Sequence, residues 1–396
     1  MCFDSVFDRR SFLLGGLVAF PASARCSAAL AMPGQERPLR VEAFRLPDAT
    51  DRTTISRALS AWATQGGPLE FEADKTYDLG RLGESGPVFA LSGVQNGTII
   101  GNGAKIIAET TAPVAPTIFF FQSFRNVRVS GLRGHDRGAD ISRDWQGMRF
   151  IVADSSLGVC EGIELDDIHV ENAVALFAAQ GIGPRISGIT LRNVTAIRCY
   201  YGINCIENGD DLTADFAAID CRRAYFVYGV SRHSVAIDIR QDKGAIGAQA
   251  SCLIKRYRRD TTDIRLRARF AGVLAWQDLV KLEQQPVSGT GRIARISVSL
   301  TVDRRAIDQG RASRLALSSI SPTGPAATSN DIWTDIALDG DLGPSGGLAL
   351  HSRTRPVRRT IVYLSPSTRG TLTSMAKGVT IRHGFAPNQP VLPRKL

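Results

Sequence analysis

The feature that most constrains the fold is a motif that recurs along most of the chain. It consists of a short strand, a turn at Asn or Asp, and a second short strand, with clear copies beginning at Asn96, Phe124, Gly162 and Gly188. One apolar position of the motif recurs every 23 to 36 residues. The residues at that position are Val127, Ile163, Ile189, Leu212, Val235, Ile264, Ile296 and Ile332.

A repeat of this length predicts a solenoid. Each copy alternates apolar residues that cannot be buried within one copy, so the copies must stack about 4.8 Å apart and hydrogen-bond along the axis. The longer spacings predict loops inserted between strands. A β-sandwich, the main rival, would need hairpin turns and strands every 8–12 residues or so. The sequence therefore favours an all-β parallel β-helix.

A single amphipathic helix precedes the repeats. Apolar residues stand at helical spacing between Asp51 and Trp62. Asp51 or Thr53 is the expected N-cap, and Gly66 with Gly67 ends the helix. We expect this helix to cover the open end of the solenoid, where an uncovered strand edge would promote aggregation.

This helix, the Gly-Gly stop, a strand that ends in Thr76-Tyr77 and the repeat together resemble the pectate-lyase-like superfamily over residues 45–380. The resemblance implies a right-handed parallel β-helix with a short N-terminal capping helix. It also implies a substrate groove on the strand that follows the turn. It does not fix an activity, because the fold hosts lyases, hydrolases, epimerases and inert binding proteins.

The N-terminus resembles a twin-arginine export signal. Arg9 and Arg10 precede an apolar run that ends at Phe20, and Ala29-Leu30-Ala31 fits the small-x-small cleavage pattern. This predicts a periplasmic or secreted protein. No other stretch is apolar and long enough to predict a transmembrane segment. The expected organisation is a signal peptide at 1–31, a linker at 32–48, the β-helix at 49–380 and a C-terminal tail at 381–396.

The net charge narrows the class of partner, and the cysteine spacing indicates the state of the thiols. The formal net charge is +10, which favours an acidic partner such as a uronate polysaccharide. Nucleic acid is not expected, because the arginines are scattered and no binding motif accompanies them. The sequence carries no signal for an oligomeric state. None of the five cysteines after the leader lies in a CxxC pair, so we expect buried thiols, with Cys199 and Cys221 stacked inward.

The groove strands are expected at 174–180, 201–207, 224–229, 251–257 and 278–283. Period-two alternation turns Ile203 and Cys205 inward and Asn204 outward, and it likewise turns Tyr228 and Lys255 outward. The catalytic candidates are Lys255 and Tyr228. The substrate-binding candidates are Gln180, Asn204, Glu207, Arg256, Tyr257 and Arg258.

Three functions fit this row. A lyase that cleaves an acidic polysaccharide by β-elimination needs a base to remove the proton next to the uronate carboxylate and a cation to neutralise that carboxylate. Free Lys and Tyr titrate near 10, so such a base depends on burial or neighbouring cations, and Lys255 beside Arg256 and Arg258 fits that need.

The alternatives are a glycoside hydrolase, which needs two carboxyl groups, and a non-catalytic β-helix that binds envelope polysaccharide. Gly209-Asp210-Asp211 resembles a polygalacturonase motif, but it precedes the wrong strand, so a turn is the better interpretation. The sequence establishes no cofactor. Calcium is possible at Asp136, Asp140 and Asp144, although their spacing matches no firm motif and a solvated loop is favoured.

Overall fold

A computed structural model gives the structure of the chain. It describes residues 37–143, 145–241, 250–256, 258–272, 278–284, 293–302, 313–319, 334–340, 348–351, 360–366, 372–374 and 379–384. The predicted signal peptide lies outside these residues, as do Asp144 and Tyr257.

The described residues form one α-helix, α1 (Asp51–Gln65), a 3₁₀ turn (Val41–Phe44) and two parallel sheets. Sheet A has 17 strands: β1 Leu39–Arg40, β2 Pro68–Glu70, β3 Thr76–Leu82, β5 Thr98–Ile100, β6 Lys105–Thr110, β8 Arg125–Ser130, β9 Arg133–Asp136, β11 Cys160–Asp166, β12 His169–Glu171, β14 Ile186–Ile197, β16 Leu212–Ile219, β18 Ser231–Gln241, β20 Thr261–Gly272, β22 Ile293–Val302, β24 Thr334–Gly340, β26 Thr360–Leu364 and β28 Val379–His383.

Sheet B has 11 strands: β4 Pro87–Ser92, β7 Thr117–Gln122, β10 Arg149–Asp154, β13 Ala175–Gln180, β15 Tyr201–Ile206, β17 Arg223–Tyr228, β19 Ala250–Arg256, β21 Asp278–Gln284, β23 Ser313–Ser319, β25 Leu348–His351 and β27 Leu372–Ser374. Each coil contributes strands to both sheets, and every pairing is between successive coils. The predicted parallel β-helix with an N-terminal helix is confirmed.

The register agrees with the predicted repeat up to Leu212 and then departs from it. Val127 pairs with Ile163, which pairs with Ile189. The next expected residue, Val235, is wrong by two positions, because His233 is the residue that pairs with Ile264. Ile332 is also wrong, because Thr334 pairs with Ile296. The prediction followed apolar residues, whereas the inward position of β18 carries a histidine.

Sheet A changes its form partway along the solenoid. In the early coils it consists of two separate stacks, one containing β8 and β11 and the other β9 and β12. β14 is long enough to pair with β11 and β12 together, and from there each coil contributes one long strand to sheet A.

The core lies between the two sheets and is built of like residues above like residues. Ile163, Ile189 and Leu212 are fully or almost fully buried, as burial of stacked apolar side chains requires. Aromatic rings fill the wider coils, with Phe119 and Phe150 edge-to-face at 5.6 Å between ring centroids. One apolar cluster runs through the described coils.

Helix α1 closes the N-terminal end. Thr50 is the N-cap, since its side chain accepts a hydrogen bond from the Thr53 N–H, so the prediction of Asp51 or Thr53 is wrong by a residue or more. Gly66 ends the helix at φ 75°, as predicted. Trp62 is fully buried, and a Cβ added at Gly97 would lie 2.4 Å from its ring. The helix therefore sits directly on the first coil.

Both predicted ends of the β-helix need correction. Residues 37–48, assigned to a linker, contain the 3₁₀ turn and β1, whose Leu39 pairs with Leu69. At the other end β28 continues to His383, three residues into the predicted tail. Short edge strands carry little sequence signal because they have few apolar positions.

The turn that leads from sheet B into sheet A is held in the left-handed region in successive coils. Early coils place Asn126, Gly162 and Gly188 there, with φ between 51° and 69°. Later coils place charged residues at this position: Asp211, Arg232, Asp263 and Arg295. The Arg232 Nη2 donates to the Asp211 carboxylate at 2.9 Å and Arg295 donates to Asp263 at 2.6 Å. A turn ladder of alternating charge results.

All five cysteines after the leader are buried free thiols, as expected. Cys199 and Cys221 hold equivalent inward positions, and their thiols donate to the carbonyls of Val170 and Ala196, respectively. Burial and the neighbouring Cys199 raise the pKa of the Cys221 thiol. Among the residues that the structure describes, no helix is long and apolar enough to cross a bilayer.

Candidate functional site

The outer face of sheet B between β13 and β19 carries four of the eight predicted site residues: Gln180, Asn204, Tyr228 and Lys255. Alternation along these strands is as expected: Ile203, Cys205, Tyr225 and Val227 lie in the core, and the residues between them face out. The groove strands themselves lie within a residue or so of their predicted bounds. The sequence thus predicted correctly the inward and outward positions of these strands, although several outward positions are apolar: Ala178, Ile206, Phe226 and Leu253.

The predicted site residues do not form a single row. They lie in two rows of outward side chains and in one turn. One row, in register across the coils, is Gln180, Ile206, Tyr228 and Lys255. The second row is Ala178, Asn204, Phe226 and Leu253. Glu207 belongs to neither, because it follows β15 with φ 56° and turns away from the strand direction. The structure therefore brings Tyr228 and Lys255 together directly and places Asn204 one row away.

Aromatic rings form a platform beside these rows. The rings of Tyr201 and Phe226 stack with their centroids 5.4 Å apart and an interplanar angle of 14°. The ring of Tyr228 packs against that of Phe226, with 5.6 Å between the centroids. The ring centroids of Tyr200 and Tyr201 are 4.5 Å apart. Tyr200, Tyr201 and Phe226 are each at most 7% exposed, while Tyr228 is half-buried. Three of the four rings are therefore covered, and Tyr228 is the ring of the platform that solvent and a ligand can reach.

Two cations lie over this floor. The Lys255 Nζ is 5.6 Å from the centroid of the Phe226 ring, and the Arg223 guanidinium carbon is 5.4 Å from the same centroid. Cation–π contacts of this kind hold a side chain in place over the ring. In the described part of the chain no carboxylate pairs with Arg223, and its Nε is buried without a hydrogen-bond partner. The site therefore presents positive charge.

Gln180 is held from both sides. Its Oε1 accepts from Arg149 at 3.1 Å, and its Nε2 donates to the Asp154 carboxylate at 3.1 Å. Arg149 and Gln180 are half-buried and Asp154 is 6% exposed. This network fixes the amide of Gln180 at the end of the same row as Tyr228 and Lys255.

Asn204 is an anomaly in its row. It is only 9% exposed, its register neighbours Ala178 and Phe226 are apolar, and its Oδ1 is buried without a hydrogen-bond partner. An unsatisfied buried acceptor costs about 1–3 kcal/mol. A residue that destabilises the fold in this way on the proposed groove face is a candidate for a functional role.

The remaining binding candidates have different surroundings. The carboxylate of Glu207 is buried and accepts the Arg258 N–H at 3.0 Å, so it holds the turn after β19 in place. Arg258 itself is exposed at that turn. Arg256 ends β19, but its side chain lies outside the described residues, as does the whole of Tyr257.

The Gly209-Asp210-Asp211 turn is structural, as the sequence favoured. Asp210 is buried, its carboxylate binds Arg185 in a two-point ion pair, and it accepts the Ser231 N–H at 2.8 Å. Asp211 binds Arg232, whose hydrogen bond is the main cause of its lowered pKa. Both carboxylates are thus occupied by arginines of neighbouring coils.

His233 faces the interior and not the groove. Its Nδ1 lies 2.7 Å from the Tyr225 hydroxyl and its Nε2 lies 2.6 Å from the Gly209 carbonyl. A carbonyl only accepts, so Nε2 carries the proton and Nδ1 accepts from Tyr225. Burial lowers the pKa of His233 to about 4. The histidine is therefore neutral and structural at neutral pH.

The proposed calcium loop is built around one carboxylate that is already occupied. Asp136 is buried and accepts the N–H groups of Thr110, Gly138 and Met148. Asp140 accepts the Ser142 N–H at 2.9 Å. In the described ranges no group of three or more His, Cys, Asp or Glu residues is placed to hold a metal ion. Asp144, the third residue of the predicted loop, lies outside the described residues, so calcium at this loop stays a prediction.

Sequence reasoning missed Arg223, Phe226 and the two tyrosines at 200 and 201 as parts of the site. Arg223 begins β17 and pairs in register with Tyr201, so its coil position was available from the repeat. The signal was a cation followed three residues later by an outward aromatic residue, a pattern that becomes meaningful only when the coils are stacked.

The fold and the site define a parallel β-helix with a cationic, aromatic-floored face on one sheet. A scan against protein-family models gave no match, and neither did a search of the curated proteins. Among solved structures, the chain resembles the A-module of the mannuronan C-5 epimerase AlgE6 of Azotobacter vinelandii. The identity is 12% and the TM-score 0.51, over 89% of this chain and 100% of that one.

Two further structures are similar at lower scores. The AlgE4 A-module from the same organism has 13% identity and a TM-score of 0.41, covering 88% of this chain and 100% of its own. The tailspike of E. coli bacteriophage HK620, solved in complex with a pentasaccharide, has 10% identity and a TM-score of 0.43. The match covers 89% of this chain and 66% of the tailspike chain. The likeness to the AlgE6 A-module, at 12% identity, shows the right-handed parallel β-helix fold alone.

Proposed function

We propose that the protein is an enzyme acting on an acidic, uronate-containing polysaccharide, and that it removes the proton next to the uronate carboxylate. The observation that carries this proposal is the register pairing of Tyr228 with Lys255 on an outer face that also presents Arg223. In the leading form of the proposal the enzyme is a lyase that cleaves by β-elimination. The fold likeness to a protein named for a polyuronate, mannuronan, is consistent with this substrate class.

Tyr228 and Lys255 are the two groups that can exchange a proton with the sugar. They are neighbours on adjacent strands, about 4.8 Å apart along the axis, and both are half-buried. One group would take the proton from the carbon and the other would donate to the leaving oxygen. General acid–base catalysis of this kind contributes about 10²–10⁴-fold to the rate.

Arg223 is the group best suited to receive the carboxylate. Removing a proton next to a carboxylate builds negative charge, which a fixed cation stabilises. The guanidinium of Arg223 is held over Phe226 and has no carboxylate partner among the described residues. Gln180, fixed by Arg149 and Asp154, would hydrogen-bond a sugar hydroxyl at the other end of the row.

A glycoside hydrolase on this face is less well supported. Hydrolysis requires two carboxyl groups about 5–10 Å apart across the bond. Asp210, Asp211 and Glu207 all hold turns in place, and Asp154 is bound to Gln180. A non-catalytic polysaccharide-binding protein would use the same aromatic and cationic face without the proton transfer.

The products distinguish these alternatives. A lyase generates an unsaturated uronate that absorbs ultraviolet light, whereas a hydrolase generates reducing ends without that absorbance. An epimerase uses the same proton removal and changes the stereochemistry of the polymer without cleaving it, which proton NMR detects. Polygalacturonate, alginate and glucuronate-containing polymers are the substrates to test first.

Two variants and a matched control test the site. Lys255→Ala and Tyr228→Phe are expected to lower the turnover number at least 100-fold. Lys105→Ala changes a half-buried strand lysine on sheet A and is expected to leave turnover unchanged. Circular dichroism confirms that each variant is folded. Full activity in folded Lys255→Ala and Tyr228→Phe would refute the assignment of the two residues.

We also propose that the protein is exported by the twin-arginine route. Buried thiols that need no oxidation are compatible with folding in the cytoplasm before transport. Replacing both Arg9 and Arg10 with Lys is expected to retain the protein in the cytoplasm, which fractionation measures. Unchanged export of that variant would contradict the proposal.

A further inference from the structure

The outer face of sheet A carries an uncompensated row of arginines on β20. Arg265, Arg267 and Arg269 alternate with the buried residues Leu266, Ala268 and Phe270, so all three point outward. All three are exposed. Within the described residues none of their side chains forms a hydrogen bond or an ion pair. We call these three residues the arginine strip.

The immediate register neighbours of the strip carry little charge, and acidic residues follow one strand further out at Asp215, Asp335 and Asp339. On one side the register neighbours are Ser234, Ala236 and Asp238, and on the other they are Ser297, Ser299 and Thr301. Asp238 is the one acidic residue among these six, and it lies beside Arg269. Several other arginines of this sheet have carboxylate partners, as Arg192 has Glu164 and Arg295 has Asp263. The strip is a local excess of positive charge.

We infer that the arginine strip binds a linear polyanion, and that this polyanion is an acidic polysaccharide. Alternate residues on a strand are about 6.6 Å apart, so the three arginine side chains start from points along a straight line, an arrangement that suits an extended anion. A guanidinium binds a carboxylate through two parallel hydrogen bonds. The hydroxyls of Ser297, Ser299 and Thr301 are placed to bond sugar hydroxyls along the same line.

A nucleic acid fits this surface less well. Single strands are bound by aromatic side chains on which bases stack, and the outward positions of β20 and its two register neighbours carry none. The choice of a polyuronate as the polyanion rests on the proposed function. The arginine strip itself lies on sheet A, on a different face from Tyr228 and Lys255, so its binding does not require the reaction.

Binding to the full chain tests the inference. Polygalacturonate binding is measured by calorimetry in the Lys255→Ala background, so that the polymer is not consumed, with dextran as the neutral polymer. Replacing Arg265, Arg267 and Arg269 with Ser is expected to weaken binding at least tenfold. It is also expected to make the dependence of log affinity on log salt concentration shallower, because fewer counterions are released.

A charge-matched control separates the effect of the strip on affinity from the effect of net charge. Replacing the exposed residues Arg52 and Arg57 on α1 and Arg125 on β8 with Ser removes the same charge from a helix and a strand that do not pair with β20, and is expected to leave affinity within about twofold. Equal weakening in both triple variants, or none in the strip variant, would overturn the inference. Tighter binding of single-stranded or duplex DNA than of polygalacturonate would overturn the assignment to polysaccharide.

Turnover separates this inference from the proposed function. With short uronate oligosaccharides, the strip variant in the otherwise native chain is expected to keep its kcat/KM. With long polymer its KM should rise. An inactive native chain that still binds polymer through the strip would refute the enzyme proposal and leave the strip intact.

Discussion

Acid is expected to destabilise the protein through His233. The folded-state pKa of this residue is lowered from 6.5 to about 4, chiefly by burial. The unfolded chain therefore binds a proton between about pH 6.5 and pH 4 that the folded chain does not. Stability that is present above pH 6.5 must decrease as the pH falls through this window and be fully lost below about pH 4.

The magnitude follows from the difference in pKa. A difference of about 2.5 units corresponds to about 3 kcal/mol when the loss is complete. At about pH 5 the expected loss is about 2 kcal/mol. The structural reason is that only the neutral ring satisfies both partners: Nε2 donates to the Gly209 carbonyl and Nδ1 accepts from the Tyr225 hydroxyl. A proton on Nδ1 would leave the hydroxyl hydrogen of Tyr225 without an acceptor at this contact.

The assay is urea unfolding at about pH 7.5 and about pH 5. The comparison protein carries His233→Leu and Tyr225→Phe, which replace the polar pair with residues suited to a position beside Ile264. Groups that titrate elsewhere, such as the partly buried His169 with its lowered pKa, remain in both proteins and cancel. The double variant is expected to lose about 2 kcal/mol less than the native chain. An equal loss in the two proteins would refute this account of His233.

Four further changes test other parts of the structure. Asn204→Leu is expected to raise the free energy of unfolding by about 1 kcal/mol or more while lowering polysaccharide turnover, because it removes an unsatisfied acceptor; equal or greater turnover would contradict its role. Gly97→Ala is expected to lower thermal stability by about 1–3 kcal/mol through a clash with Trp62, seen as an earlier melting transition. Asp210→Ala should cost about 3–5 kcal/mol in urea unfolding by stranding a guanidinium, and a loss below 1 kcal/mol would show that the pair is not needed. Burial raises the pKa of Cys205 to about 12, so it and the other body thiols should react with a thiol reagent only on unfolding, and fast native labelling would be the contrary result.

The fold was predictable because a solenoid repeats its signal. A single copy of the strand–turn–strand motif is weak, but aligned copies fix the register, as at Val127, Ile163 and Ile189. The prediction failed where the inward position was polar. At His233 the interior uses a hydrogen-bonded histidine in place of an aliphatic residue, and a rule based on apolar spacing cannot detect it.

The site was predictable in part for the same reason. Alternation correctly turned Tyr228 and Lys255 outward, and their offset made them register neighbours. It could not show that Glu207 adopts a left-handed conformation where the chain leaves the strand. Glu has no preference for that conformation, so the sequence carries no signal for it. Nor could it show that Arg223 lies over Phe226, because that contact joins the rotamers of two side chains.

The turn ladder limits how many coils this solenoid can gain or lose. Asp211, Arg232, Asp263 and Arg295 occupy the same turn in four successive coils, so opposite charges meet at each step. Excising the coil that carries Arg232 would set Asp211 directly against Asp263, two like charges about 4.8 Å apart along the axis. Excising two consecutive coils would restore an Asp–Arg contact. In this region the unit of insertion, deletion or duplication that preserves the ladder is therefore a pair of coils.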